Sequence, residues 1–540
     1  MRIAPGRDLI AGITVGVVAL PLALAFGITS GLGAAAGLIT AIVAGTVAAV
    51  FGGSNLQISG PTGAMTVVLV PIVAEYGANG VLVVGLMAGL LLVVMAIAGL
   101  GRYVRFIPLP VIEGFTLGIA VIIALQQVPS ALGVDVSGEQ VVIVAVKSVG
   151  QWVTSPQWVP VAIAAGVAGL MIVAARLRIK PAVPVALIAV VAATIVVQVA
   201  DLDVATIGAL PSTLPLPSLP AFTFSDLRIL IAPAVAVAAL AALESLLSAT
   251  VADAMSVSQR HDPDRELFGQ GLANVASPLF GGIPATAAIA RTAVNVRSGA
   301  VSRLSAIVHS AVLLVVVLAL STVVGLIPLA ALAGVLIATA LRMVEVSSLR
   351  ALLHSGRSDT LVLVITFVAT VALDLATAVI LGIVAAGAIA LRQVARSATL
   401  TETPLQEVAG SDSHTAEERE LLDEHIIAFR FEGPLFFGGA HSALLELAEV
   451  SDIRVVILRL AHLTTLDATG AAVLSDTIRG LENRGITVLL SGLPERFSPR
   501  LAATGILDHL AEQNHVFSHT PDAIAHARRH VARDGHHLSS

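Results

Sequence analysis

The sequence predicts an all-α polytopic membrane domain of fourteen spans, followed by a small α/β domain. Three observations lead there. Of 540 residues, 56% are hydrophobic and only 12% charged, about half the charge fraction of a soluble domain, and the mean hydropathy is +0.94. Apolar runs recur through the first three quarters of the chain, many of them long enough for a ~30 Å hydrocarbon core. Beyond residue 396 the composition turns polar and acidic, then alternates short β-rich runs with helical stretches. A soluble helical protein of this size would need amphipathic surface helices, which these runs do not provide.

In chain order the apolar runs fall near 9–29, 34–51, 57–74, 79–100, 106–127, 158–175, 182–200, 228–256, 266–281, 285–296, 303–327, 328–343, 359–375 and 376–394. The first follows Arg2 and Arg7 and continues through Phe26 without a small-x-small cleavage site, so it reads as a retained span and not as a signal peptide. Runs 57–74 and 285–296 are too short to cross alone, and their Gly and Pro content predicts half-length helices. Basic residues test the count. Arg102 and Arg105 follow the fourth run, Arg176, Arg178 and Lys180 the sixth, Arg260 and Arg265 the eighth, and Arg297 and Arg303 the tenth. Arg342, Arg350 and Arg357 follow the twelfth, and Arg392 and Arg396 close the last. The loop 201–226 carries Asp201, Asp203 and Asp226 and no Lys or Arg. This alternation predicts a multi-pass protein of the plasma (inner) membrane with both termini cytoplasmic.

The predicted organisation is a transmembrane domain at 1–396, a linker at 397–423, an α/β domain at 424–520 and a disordered tail at 521–540. There are no cysteines, which excludes disulfides, thiol catalysis and Cys-ligated metal. A net charge of −6 gives no sign of nucleic-acid binding. The spans hold no nucleophile–base arrangement and no metal-ligand spacing, so neither an enzyme nor a cofactor is expected. The tail "HARRHVARDGHHLSS" is His-rich, but clustered terminal histidines without a fold are weak ligands, and no metal site is predicted.

The chemistry is expected at two similar segments, "QISGPTGAMTVV" (57–68) and "GGIPATAAIARTAVN" (281–295). Each begins with helix breakers and continues with small residues and a short helix-compatible run, at the third span of each set of seven. Interrupted segments in corresponding halves point to a transporter binding site. A half-helix that begins inside the membrane leaves backbone N–H groups unpaired and carries a partial positive charge. Two such ends meeting near the midplane form an anion pocket. Gly63, Ala64, Ala287 and Ala288 would let the backbone approach the ligand, and Arg291, one turn after Ala287, would bring a full charge. The alternative is that Arg291 snorkels to the cytoplasmic surface or pairs only with a protein carboxylate. Glu244 is a second intramembrane charge, with Ser248 on the same helical face. It reads as a coupling group that binds a proton or balances Arg291, or else as one half of a structural ion pair.

The chain resembles the SulP anion permeases, the sulfate permease family, over nearly its whole length. The resemblance rests on "GVVALPLALAFGITSGLGAAAGL", "SGPTGAMTVV", "ESLLSATVADAMS", "ELFGQGLANVASPLFGGIPATAAIARTAVNVRSG" and "IPLAALAGVLIATAL", all in the family's order. It implies seven-plus-seven inverted repeats divided into core and gate domains, an elevator-like movement, a homodimer, and an anion site between spans three and ten. Carried over by motif position, that site includes Phe26, Thr62, Ala290, Arg291 and Glu244. The chain is similar overall to the sodium-dependent bicarbonate branch. There, Asp and Thr stand at the positions of Glu244 and Ser248, and Gly at that of Arg291. These departures point to a proton, with sodium as the alternative, as coupling ion, or to anion exchange. Leu22 replaces a Gln found in many relatives, which removes one polar contact to the substrate. The implied function is secondary active transport of sulfate or bicarbonate. The competing readings are C4-dicarboxylate transport and an anion sensor that signals without transport. The C-terminal domain resembles a STAS domain, and "LTTLDATGAAVL" is similar to the phosphorylatable turn of anti-sigma-factor antagonists. Asp467 and Thr469 are therefore regulatory candidates, although both suit an ordinary helix cap.

Overall fold

The computed structural model describes residues 4–106, 108–136, 138, 140–177, 183–256, 260–373, 375–396, 399–402, 425–436 and 453–534. The chain divides into two compact units, Met1–Ala385 and Ala386–Ser540.

Sixteen helices form the first part: α1 (Pro5–Thr29), α2 (Ala34–Phe51), α3 (Gly63–Ile97), α4 (Leu109–Gln126), α5 (Val128–Leu132), α6 (Val141–Thr154), α7 (Trp158–Arg176), α8 (Val185–Val199), α9 (Phe224–Met255), α10 (Pro263–Leu279), α11 (Ile289–Arg297), α12 (Leu304–Gly325), α13 (Leu329–Met343), α14 (Val346–Ser355), α15 (Arg357–Ala372) and α16 (Leu375–Arg396). Among the described residues, nine helical segments are long and apolar enough to cross a membrane. Each predicted run coincides with helix, with two differences in detail. The third and fourth runs form one element, α3, interrupted only at Gly77 (φ 69°, ψ −176°). The bend falls in the gap at 75–78 that separates the two predicted runs, and a glycine takes this conformation without the Cβ penalty. Helices α6 and α14 belong to no predicted run, because each mixes polar with apolar residues.

The helices pack in two groups. Contacts join α1 to α2 and α12, α10 to α2 and α3, and α9 to α3 and α11. In the second group α4 packs on α15 and α13, and α13 packs on α7 and α8. Between lipid-soluble helices there is little hydrophobic drive to associate, and close backbone approach takes its place. Gly27 on α1 faces Gly37 on α2, where a Cβ on Gly37 would run into the Ala23 carbonyl oxygen. Gly89 on α3 and Gly271 on α10 make the same kind of crossing. The outer surface is apolar: Leu90, Val94 and Ile97 of α3 are exposed at helical spacing, which suits a hydrocarbon solvent.

Two short strands join the interrupted segments. β1 (Ser59–Gly60) pairs antiparallel with β2 (Thr286–Ala287), with Ser59 opposite Ala287 and Gly60 opposite Thr286. α3 and α11 begin just after these strands.

The second unit is a five-stranded sheet: β3 (Thr399–Glu402), β4 (Ile426–Leu435), β5 (Val455–Leu466), β6 (Thr487–Ser491) and β7 (Val516–Phe517), in that spatial order. β3 is antiparallel to β4 and the other pairs are parallel. One core contains Phe431, Val456, Leu458, Val488 and Leu490 together with Leu474 and Ile478 of helix Ala468–Asn483. Another joins Ile426, Ala428, Val455, Ile457 and Leu489 to Ala523, Ile524 and Ala527. Those last three belong to helix Thr520–Asp534, which corrects the expected disordered tail as far as residue 534. Three apolar residues at helical spacing were hidden among histidines and arginines. Likewise, the expected linker begins with a strand, β3. His515, which precedes β7, is pushed down to about 4 by burial and by the imidazoles of His530, His526 and His509.

Candidate functional site

The two broken helices start side by side but are finished differently. Thr62 is the N-cap of α3, and its Oγ1 accepts from the Met65 N–H at 3.3 Å. The same hydroxyl donates to Glu244 Oε2 at 2.8 Å. Glu244 comes from the middle of α9, so the acid is hooked onto the first turn of α3. The N-cap of α11 is Ala288, which has no side-chain acceptor. Its backbone N–H donates to the Ile58 carbonyl at 3.0 Å, extending the strand pairing. The first intrahelical bond then runs from the Thr292 N–H to the Ala288 carbonyl at 2.9 Å.

Arg291 is only 2% exposed, which removes the expectation of a snorkelling surface anchor. Its Nη2 donates to the Pro61 carbonyl at 2.7 Å, while Nη1 is buried and has no hydrogen-bond partner among the described residues. Among the described residues no carboxylate lies within 4 Å of it, so the simple ion-pair alternative is not met either. The guanidinium fits under the backbone of β1, where a Cβ on Gly60 (φ 153°) would lie 2.7 Å from Nη1. Glycine at 60 is what makes room for the charge.

Phe26 is buried on α1, with its ring 3.2 Å from where a Cβ of Gly63 would be. Gly63 and Ala64 are buried in the first turn of α3, and Ala287 is buried within β2. Ala288 is half-buried, and Ala290 is exposed on the first turn of α11. Ser248 is buried on α9, one turn beyond Glu244. Its hydroxyl donates to Thr292 Oγ1 at 3.1 Å, and that oxygen accepts the Ile58 N–H at 3.1 Å. Asp467 caps helix Ala468–Asn483 through the Gly470 N–H at 2.7 Å, and Thr469 is exposed in its first turn.

Sequence reasoning missed the frame behind the site. Ser245 Oγ and Thr286 Oγ1 are 2.9 Å apart, and Ser245 Oγ also accepts the Ala287 N–H at 3.3 Å. From α10, Glu266 accepts the Gly53 and Ser54 N–H groups at 2.8 and 3.0 Å. Gln270 donates to Ser59 Oγ at 2.6 Å. Asn274 both donates to the Ala285 carbonyl and accepts its N–H, each at 2.8 Å. The spacing of Glu266, Gln270 and Asn274, four residues apart in an apolar neighbourhood, is a polar helical stripe that could have been read. One more feature lies beside α1: a cavity of about 230 Å³ lined by Ala25, Thr29, Gln127, Val141, Leu329 and other residues.

The profile of the sulfate permease family matches residues 6–366, and that of the STAS domain matches residues 421–523. The chain belongs to the sulfate permease family. It is 37% identical over 530 residues to YvdB of Bacillus subtilis, a protein named for sulfate transport, covering 95% of this chain and 96% of that one. It is 32% identical over 522 residues to the bicarbonate transporter BicA of Synechocystis, covering 94% and 92% respectively. Among solved structures, the transmembrane domain of a cyanobacterial BicA aligns with a TM-score of 0.63 at 34% identity, covering 72% of this chain and 98% of that one. Murine Slc26a9 in its inward-facing state aligns with a TM-score of 0.84 at 15% identity, covering 98% and 92%, a likeness of fold. Membership in this family, whose relatives at this similarity are named as sulfate and bicarbonate transporters, makes the chain a transporter-type membrane protein.

Proposed function

We propose that this permease carries a small inorganic anion, sulfate or bicarbonate, by secondary active transport. The carrying observation is the union of two half-helix starts with a buried Arg291 and with Glu244 hydrogen-bonded to the Thr62 cap. The anion would sit against the uncapped first turn of α11, at Ala288 and Ala290, opposite Phe26 and the Gly63–Ala64 turn of α3. Unpaired N–H groups and the helix dipoles favour negative charge there. Arg291 adds its charge from behind the Gly60–Pro61 backbone.

Glu244 supplies the coupling. With the carboxylate ionised, it and Arg291 sum to zero; with it protonated, one positive charge is uncompensated. A proton therefore raises the attraction for the anion, which is the logic of proton–anion symport. Sodium in place of the proton, and anion exchange, are the alternatives carried by the same residues. In this reading Ser248 supports the frame and Glu244 alone titrates. The core helices would carry the site across the bilayer in an elevator-like step relative to the gate helices. The protein would work as a homodimer in the plasma (inner) membrane, with its termini and the STAS domain in the cytoplasm and Asp467–Thr469 as a regulatory turn.

The test is uptake of labelled sulfate, bicarbonate and fumarate into proteoliposomes, with and without a pH or sodium gradient. Proton-driven sulfate or bicarbonate uptake is expected. Fumarate as the best substrate would replace the inorganic-anion reading with dicarboxylate transport, and no flux of any of the three would favour the sensor.

A further inference from the structure

The second unit holds a cluster that transport does not use. His526 and His530 lie one turn apart on helix Thr520–Asp534, and His515 lies just before β7. One ring nitrogen from each comes within 4.8 Å of the others. His526 Nε2 and His530 Nε2 are 3.1 Å apart. Two imidazole nitrogens on one tetrahedral zinc, at roughly 2.0–2.1 Å each, are separated by about 3.3 Å. His515 is 7% exposed, and its Nδ1 is buried with no hydrogen-bond partner among the described residues. Each ring is also within 5.5 Å of the other two, centroid to centroid.

We propose that His515, His526 and His530 form a three-imidazole site for a borderline divalent metal ion, Zn²⁺ before all others, with water in the fourth position. An all-nitrogen donor set suits Zn²⁺, Cu²⁺ or Ni²⁺ and does not suit Mg²⁺ or Ca²⁺, which require oxygen ligands. The ion would clamp the last helix to the sheet edge at β7.

Arg529 sets the affinity of the site. Its Nη2 lies 3.2 Å from His526 Nδ1. A guanidinium can only donate, so His526 Nδ1 accepts, and the ring proton stands on Nε2, facing His530. Metal entry shifts that proton to Nδ1 and frees the Nε2 lone pair for the metal. An N–H at Nδ1 no longer accepts from Arg529, which must swing into solvent. Arg529 is thus a competitor of the metal, occupying the place where a zinc-binding histidine usually has a carboxylate or carbonyl partner.

The experiment is calorimetric titration of the purified full chain, bearing a tag without histidines, with Zn²⁺ at neutral pH. One ion per chain is expected. His526→Ala and His530→Ala should each weaken binding by at least about 100-fold, while Arg529→Gln should tighten it by about 10-fold, the scale of outer-shell effects on metal affinity. Both histidines are partly exposed, so their loss leaves the two apolar cores in place. Removing residues 535–540 should change nothing. Undiminished Zn²⁺ binding in the His526→Ala/His530→Ala double variant would overturn the proposal. So would binding that vanishes with residues 535–540, or an intact chain that binds no Zn²⁺.

Discussion

The starts of α3 and α11 are the same device built twice and completed in opposite ways. Each begins after a two-residue strand, and the strands pair with each other. At α3 a hydroxyl closes the first turn and also holds a carboxyl group. At α11 a methyl group stands where that hydroxyl would be. Both charged side chains then lean on the α3 side: Glu244 through Thr62, and Arg291 through Pro61. The first turn of α11 is left uncommitted. The difference teaches that two similar helix starts can share one scaffold and differ in capping and charge, which under the proposed function would decide where a ligand can bind.

Arg291→Ala is the heaviest blow to this arrangement. Losing a desolvated charge contact is worth roughly 2–5 kcal/mol, so uptake should vanish while the purified protein still folds. Uptake at unchanged affinity would mean that the two helix starts suffice without the guanidinium. Glu244→Gln keeps the Thr62 contact feasible but cannot exchange a proton. Uptake by this variant should ignore an imposed pH gradient, and retained sensitivity would move the coupling elsewhere.

Gly60→Ala strikes at the space under β1. The new methyl meets Arg291 Nη1 at 2.7 Å, at a φ of 153° that a side chain rarely adopts. Strain of ~1–3 kcal/mol is expected, read as a lower thermal midpoint together with weaker anion affinity. An unaltered midpoint would show that the guanidinium has room to retreat. Ala288→Ser is the direct test of the asymmetry, because it gives α11 the cap that α3 already has. A new cap contributes about 0.5–2 kcal/mol of stability and should occupy an N–H that the anion would use. The variant should be more heat-stable and bind the anion several-fold more weakly; tighter binding would place the ligand away from α11. Asp467→Ala, in the other unit, should cost that domain about 1 kcal/mol and leave the apparent anion affinity unchanged, as measured by uptake.

The membrane helices were legible because the bilayer leaves few solutions: a span must be apolar and helical to satisfy its own backbone. The bend at Gly77 was legible too, as the gap at 75–78 between the third and fourth runs, where Glu75 and Asn79 flank the glycine. Helices α6 and α14 were missed because amphipathic segments fall below a hydropathy criterion. At the site, interrupted runs pointed to both half-helices, and charge in an apolar setting singled out Arg291 and Glu244. Their contacts were not legible in this way, and Thr62 itself came only from resemblance. The Pro61 carbonyl is a main-chain atom, which no residue pattern announces, and the Thr62–Glu244 bond spans 182 positions. Phe26 came only from resemblance, since one aromatic in an apolar run carries no signal of its own. Ser248 shared a face with Glu244 and so was grouped with it, although Thr292 holds it in the frame.

The pairing of β1 with β2 has an evolutionary consequence. Its rungs are main-chain hydrogen bonds, which the side chains at 244, 290 and 291 do not form. A lineage could therefore exchange the residues at 244, 290 and 291 by single-codon steps while the frame that holds them endures. Selectivity in such a molecule can drift without passing through unfolded ancestors, which offers a route by which one backbone came to serve chemically distinct ions.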